Sequence, residues 1–241
     1  MANFTLYPGF LAEKDTFSIA SDFHNFATGQ DGWTSLVVDG GTSVAVNDAR
    51  GGILTVTTGA TDNNEAMIRS TTELFLPTAG RPSFARARIN LTQANTDDAN
   101  FFFGFASAAG ANLLVDNGGD PRTTGSIFGI TCSDGDTVLH CYSRNGTTST
   151  DTATTISNTD ASGVYREWEV RLEEFSTTQC VVTFYIDGMA LRDDTTFANV
   201  VTHRVNYASL TEMNFVPCYV KAGDTNSETP LIDWAIAAQV R

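Results

Sequence analysis

Positive charge is scarce in this chain: 14 lysines and arginines stand against 28 aspartates and glutamates, a formal net charge of −14. A field of that sign repels phosphate backbones and anionic lipid surfaces, so neither nucleic acid nor membrane is expected as a partner. No stretch approaches the roughly 18 consecutive apolar residues that span a bilayer. The opening MANFTLYPGFLAEK lacks a basic segment leading into an apolar one, so no secretory signal is read there and folding in a cytoplasm is expected. Cysteine is limited to Cys132, Cys141, Cys180 and Cys218, with no CxxC or other metal-ligand spacing. Each lies in or beside a strand-like run, where a thiol packs as a small apolar group. A Cys132–Cys141 bridge across a hairpin is geometrically conceivable but runs against the reducing compartment. Charged residues make up only 17% of the chain, and runs of Lys, Glu, Leu and Ala that would build helices are missing.

What is abundant is Thr, Ser, Asn, Asp, Gly and, at 16 residues, Phe. That mixture suits short strands joined by polar turns. Period-2 alternation predicts strands near 34–38, 43–47, 52–58, 65–70, 83–91, 100–107, 126–132, 137–143, 165–175, 179–186, 189–192, 212–220 and 231–240. Asp39-Gly40-Gly41, Gly51-Gly52, Asn117-Gly118-Gly119, Asp134-Gly135-Asp136 and Asn145-Gly146 punctuate them with the positive φ that tight turns require. One helical turn fits 205–211. About a dozen strands in 241 residues without a linker imply one all-β domain, an antiparallel two-sheet sandwich over 21–241.

Residues 1–20 differ. They have no period and carry Phe4, Leu6, Tyr7, Phe10 and Leu11 around Pro8-Gly9. Such side chains call for a covering surface, either the chain's own body or a neighbour, so the segment is read as an extended arm. Loops 108–125 and 144–163 are the longest and the natural places for binding.

Catalytic sets are hard to assemble. In REWEVRLEE, Glu167, Glu169 and Glu173 share one strand face with Arg171, while Trp168, Val170 and Leu172 take the other. Sandwich glycosidases use paired carboxylates, but their Glu-x-Asp spacing is not met, and a charged outer face is the simpler reading. His24, His140 and His203 neighbour no nucleophile motif, and no glycine loop precedes a helix. Asp62-Asn63-Asn64-Glu65, Asp97-Asp98, Asp116-Asn117, Asp120 and Asp134/Asp136 offer oxygen ligands of the kind calcium takes. Turn formation accounts for each, so no cofactor is expected, with calcium as the one ion the composition invites. Trp33 and Tyr142 are read as exposed aromatics able to stack on a glycan. Phe101, Phe103 and Phe105 on one face and Phe102 on the other are read as core.

The segments GGILTVTTGATDNNEAMI, SFARARINL, NFFFGFAS, GIT…DTVLHCYSRNG, YREWEVRLEE…CVVTFYIDGMAL and LIDWAIAAQVR follow one another as in concanavalin A-like (laminin G-like) jelly rolls. The W-x-V-x-L strand followed by V-x-F-Y-I-D-G is the most recognisable hairpin. The resemblance implies a jelly-roll sandwich over residues 21–241 and no particular function, because the fold hosts lectins, glycanases and assembly modules. A Thr-rich acidic chain with a leading arm is most similar to tailed-bacteriophage virion structural proteins. That implies a non-enzymatic head decoration (cement) or tail-fibre protein of the virion, assembled in the host cytoplasm. It would be a homo-oligomer, with a trimer favoured, bound to the major capsid protein or other virion proteins. The alternative is a carbohydrate-binding, lectin-like module on a tail fibre or capsid surface recognising surface glycans. A glycan hydrolase using Glu167, Glu169 and Glu173 is the third reading.

Overall fold

The computed structural model describes residues 16–38, 42–48, 51–91, 99–117, 119–133, 135–158 and 163–241. Alternating apolar residues fold into sixteen strands and two antiparallel sheets. One sheet contains β1 (Thr16–Ser21), β3 (Ser43–Asp48), β4 (Ile53–Thr57), β6 (Ser83–Asn90), β11 (Arg166–Ser176), β12 (Gln179–Ile186), β13 (Met189–Ala190), β14 (Thr202–Asn206) and β16 (Leu231–Val240). Its order is β13-β12-β11-β6-β16-β4-β3, with β1 added to β16 and β14 to β12. The other contains β2 (Trp33–Val38), β5 (Glu65–Ser70), β7 (Ala99–Ala106), β8 (Ser126–Cys132), β9 (Val138–Asn145), β10 (Ser149–Ser157) and β15 (Asn214–Ala222), ordered β10-β9-β8-β7-β15-β5-β2.

The inner faces meet in one core. Trp168, Val170 and Leu172 of β11 and Val182, Phe184 and Ile186 of β12 face Phe101, Phe103, Phe105, Phe128 and Phe215 of the opposite sheet. Ring centroids in this layer lie 5.0–6.5 Å apart in tilted and edge contacts, the spacing aromatic quadrupoles favour. The Asp187-Gly188 turn carries φ of 52° and 76°, as a tight hairpin demands. Pro217 sits in a central strand, where its missing N–H would break the ladder. A bulge between Val216 and Tyr219 absorbs it. The bulge also shifts the strand's phase, so Phe215 and Cys218 enter the core while Val216 and Tyr219 turn outward.

Three strands lie outside the expected set. β1 falls within the stretch read as an arm: it pairs with β16 from Thr16↔Val240 to Ser21↔Ala235, so the sandwich includes residues 16–20. Phe4, Leu6, Tyr7, Phe10 and Leu11 lie outside the described residues. β10, nine residues long, runs through the middle of the segment read as the 144–163 loop, and β14 pairs with β12. The helical turn near 205–211 is a short 3-10 turn, Tyr207–Ser209. All four cysteines are buried thiols. Register explains why Cys132 and Cys141 are not bridged: Cys141 lies across from Ile130, which displaces Cys132 by two residues.

Candidate functional site

Three places could hold a ligand, and the structure treats them differently. The first is the outer face of β11, where the glutamates lie. Register sets Arg88 opposite Glu167 and Arg86 opposite Glu169. Arg86 Nη2 donates to Glu167, and Arg171 Nε donates to Glu169, which is 6% exposed; Arg86 Nε lies 3.8 Å from Glu169 Oε2. Arg88 donates to Asp233, and Arg166 to Asp187 Oδ2 at 3.1 Å. The same guanidinium groups lie over rings, Arg88 4.4 Å from Tyr165, Arg171 4.3 Å from Tyr185 and Arg86 5.8 Å from Trp234. Glu167 and Glu169 thus belong to a lattice of ion pairs and cation–π contacts that satisfies the sheet face. Glu173 follows on the same face, half-buried.

The second is the outer face of the seven-stranded sheet, and it is sealed. Tyr142, expected to be exposed, is 7% exposed in a second apolar cluster with Met67, Phe102, Ile127, Val216 and Tyr219. The cover is the 108–125 segment, read from the sequence as a binding loop. Its Ala109, Leu113 and Leu114 pack into that cluster. Lys221, fully buried, pins the cover by donating to Asn112 Oδ1 and the Leu114 carbonyl, both at 2.8 Å, and to Asp116 Oδ1 at 2.5 Å. The Asn112 N–H donates to both oxygens of Glu65, at 3.0 and 2.9 Å, and Tyr219 Oη donates to the same carboxylate. Burial pushes the Glu65 carboxyl above its ordinary range, opposed by Tyr219, the Asn112 N–H and Lys221. Asn63, Glu65 and Asp116, considered as calcium ligands, serve this clasp instead: Asn63 Oδ1 accepts from the Asn117 N–H at 3.2 Å. Asp136 accepts from the Ser133 N–H at 3.1 Å, and Asp97, Asp98 and Asp134 lie outside the described residues. The apolar run Leu113-Leu114-Val115 was the signal, unused in the sequence, that this loop covers a surface.

The third place is the connection from β1 to β2, where the chain crosses between sheets at the sandwich edge. Phe23 and Asp31 hold φ of 53° and 51°, and Gly29 and Gly32 both hold 80°. A bulky residue in the left-handed region is a strained exception that surrounding structure must enforce. Here the Gly29 N–H donates to the Trp33 carbonyl at 2.8 Å, the Trp33 N–H to Gln30 at 2.9 Å, and the Thr71 N–H to Gly32 at 2.7 Å. Phe23 packs between Phe26 and Trp33, at 6.2 and 5.5 Å. Gly52 lies so close beneath that a Cβ there would sit 2.1 Å from the Asp22 carbonyl.

This connection borders an open pocket of about 130 Å³, lined by Ser21, Asp22, His24, Asn25, Phe26, Gln30, Asp31 and Trp33 among others. Trp33 is 1% exposed, which corrects the expectation of an open stacking platform: its ring packs edge-on against Phe23 and Phe215. Its Nε1–H, however, is buried without an acceptor in the protein. Around it Asp22 and His24 are open to solvent, 70% and 45% exposed, with His24 Nε2 3.4 Å from Asp22 Oδ2. The wall can accept through carboxylates, donate through indole, and do both through amides. Among the described residues no group of three His, Cys, Asp or Glu side chains is placed to hold a metal ion.

The two-sheet sandwich has the fold of concanavalin A-like jelly rolls. An endo-1,3-beta-glucanase from Streptomyces sioyaensis superposes with a TM-score of 0.61 at 14% identity, covering 95% of this chain and 98% of that one. Peanut lectin gives 0.57 at 14%, covering 94% and 99%. A protein of unknown function from Shewanella oneidensis MR-1 gives 0.57 at 11%, covering 94% and 87%. No family model and no curated protein sequence matches the chain.

Proposed function

We propose that the protein is a non-enzymatic, lectin-like carbohydrate-binding module whose ligand enters the 21–33 pocket. The observation that carries this is the buried Trp33 Nε1–H without an acceptor, on a residue that lines a pocket together with carboxylate, amide, hydroxyl and imidazole groups, Ala27 and the Phe26 ring. An unsatisfied buried N–H costs about 1–3 kcal/mol, which a ligand hydroxyl or ring oxygen recovers on binding. Sugar hydroxyls donate and accept at once, which suits carboxylates beside an indole donor. The lectin and glucanase neighbours of the fold support the reading at the level of class, and the ion pairs made by Glu167 and Glu169 speak against a hydrolytic pair on β11. The test is a glycan array followed by titration of the wild type and Trp33→Phe, which keeps a ring and removes the donor. Binding by the wild type and its loss in the variant are expected. The variant's unfolding free energy should change by less than about 2 kcal/mol, because losing ring atoms is offset by losing the unsatisfied donor. Undiminished binding by Trp33→Phe refutes the site.

A second reading is a virion role, in which the module decorates a head or tail fibre as a homotrimer docked to the major capsid protein. Its support is the aromatic composition of residues 1–15, with Phe4, Leu6, Tyr7, Phe10 and Leu11, directly before a strand that is itself anchored to β16. Deleting residues 2–15 should leave the sandwich folded and abolish incorporation into particles; normal incorporation refutes this reading.

A further inference from the structure

The charge of the pocket wall narrows the ligand, on the carbohydrate-binding reading above. Among the described residues, Asp22, Asp31 and His24 are the only ionisable side chains that line it, and no lysine or arginine does. Two carboxylates outweigh one imidazole in either protonation state, within a chain whose formal net charge is −14. The nearest cation along the neighbouring strand, Arg69 opposite Thr34, turns its Nη1 to the Ser70 and Thr71 carbonyls at 3.3 and 3.4 Å. We propose that the pocket takes a terminal sugar ring bearing a protonated amine, placing an ammonium group against the Asp22 and Asp31 carboxylates and an oxygen against Trp33 Nε1–H. A ring bearing a carboxylate meets the same groups with the wrong sign and is excluded.

Four residues in the left-handed region hold the connection in a conformation that hydrogen bonds to Thr71 and a packed Phe23 over-determine. Asp31 is one of the four, and its exposed side chain leaves this turn toward the pocket's rim.

The experiment reads the indole Nε1–H resonances of the 15N-labelled protein, which has 3 tryptophans, with Trp33 assigned through Trp33→Phe. Methyl glycosides of an amino sugar, its N-acetyl form, the neutral sugar and the uronic acid, each in gluco and galacto configurations, are titrated near pH 6 at low salt. The Trp33 resonance should move with an amino sugar at about one third or less of the concentration its neutral counterpart requires, and not with the uronide. Asp31→Asn, which keeps a residue tolerant of positive φ, should reduce that preference to less than about 1.5-fold, as should 0.5 M salt. Equal response to amine and neutral sugars, or a response to the uronide, overturns this inference and leaves carbohydrate binding standing. No movement of the Trp33 resonance with any sugar overturns both.

Discussion

His203 offers a pH test of how the two sheets are joined. It projects from β14 into the core, 4% exposed, where Nδ1 is 2.8 Å from Ser143 Oγ, Nε2 is 3.0 Å from Thr152 Oγ1 and the ring lies 5.2 Å from Phe184. Both neighbours are hydroxyls, which serve either neutral tautomer, so hydrogen bonding does not hold the proton off. Burial does: it pushes the imidazole from 6.5 down to about 4, against a smaller pull from Asp151. The unfolded chain therefore takes up a proton below 6.5 that the folded chain refuses until about 4. Stability is complete above pH 6.5 and falls as pH drops to 4; at about 1.36 kcal/mol per pH unit, the loss is about 3 kcal/mol. Glu65 and Asp136, both raised by burial, titrate with the opposite sign, and His140, raised by its bond to Asp151, acts above 6.5. These groups are common to the wild type and His203→Gln, so the difference between the two isolates the buried imidazole. Urea unfolding of both proteins, at intervals from pH 7 to pH 4, measures it. The wild type's advantage over the variant should shrink by about 3 kcal/mol across that range. A difference that stays constant would show that water reaches the ring.

The clasp beneath the 108–125 cover should be as sensitive. Lys221→Met removes an ammonium that satisfies three acceptors and should cost at least about 2 kcal/mol in urea unfolding, with limited proteolysis newly cutting between 107 and 125. Gly129→Ala should cost about 3 kcal/mol or more, because a Cβ there lies 2.4 Å from both the Phe102 ring and the Phe103 carbonyl. Thermal unfolding checks it, and a melting point unchanged from wild type would show that both the Phe102 ring and the Phe103 backbone can give way.

The architecture was legible because burial and period coincide in most strands. From Ala85 to Asn90 SFARARIN alternates apolar with polar residues, and buried and half-buried positions follow that alternation; only Ser83, buried, and Phe84, half-buried, depart from it. The missed strands lack that coincidence. β10, STDTATTIS, is an edge strand whose outer half is exposed, so no apolar period is required of it. In β14, THRVN, one of the two inward positions is a histidine, and polarity on the sheet's inner side masks the alternation. Trp33 was read as exposed and is buried: a tryptophan beside turn residues reads as a platform until Phe23 and Phe215 are seen to close on it. The pocket itself was illegible, since its walls depend on left-handed residues, Phe23 among them, that no composition rule foretells.

Likeness of fold and placement of chemistry diverge in this chain. A jelly roll has two outer sheet faces on which a ligand could lie, and here neither is open in the way a ligand needs. On one, guanidinium groups already occupy the carboxylates and cover the rings of Tyr165 and Tyr185. On the other, the chain supplies its own occupant, Leu113 and Leu114, and fastens it with a buried lysine. On the carbohydrate-binding proposal, recognition falls to the edge, where the backbone passes from one sheet to the other and can hold strain without breaking a ladder. A buried indole donor there without an acceptor is tolerated only if the rest of the loop fixes it. That rigidity is also what a small, charge-selective site requires.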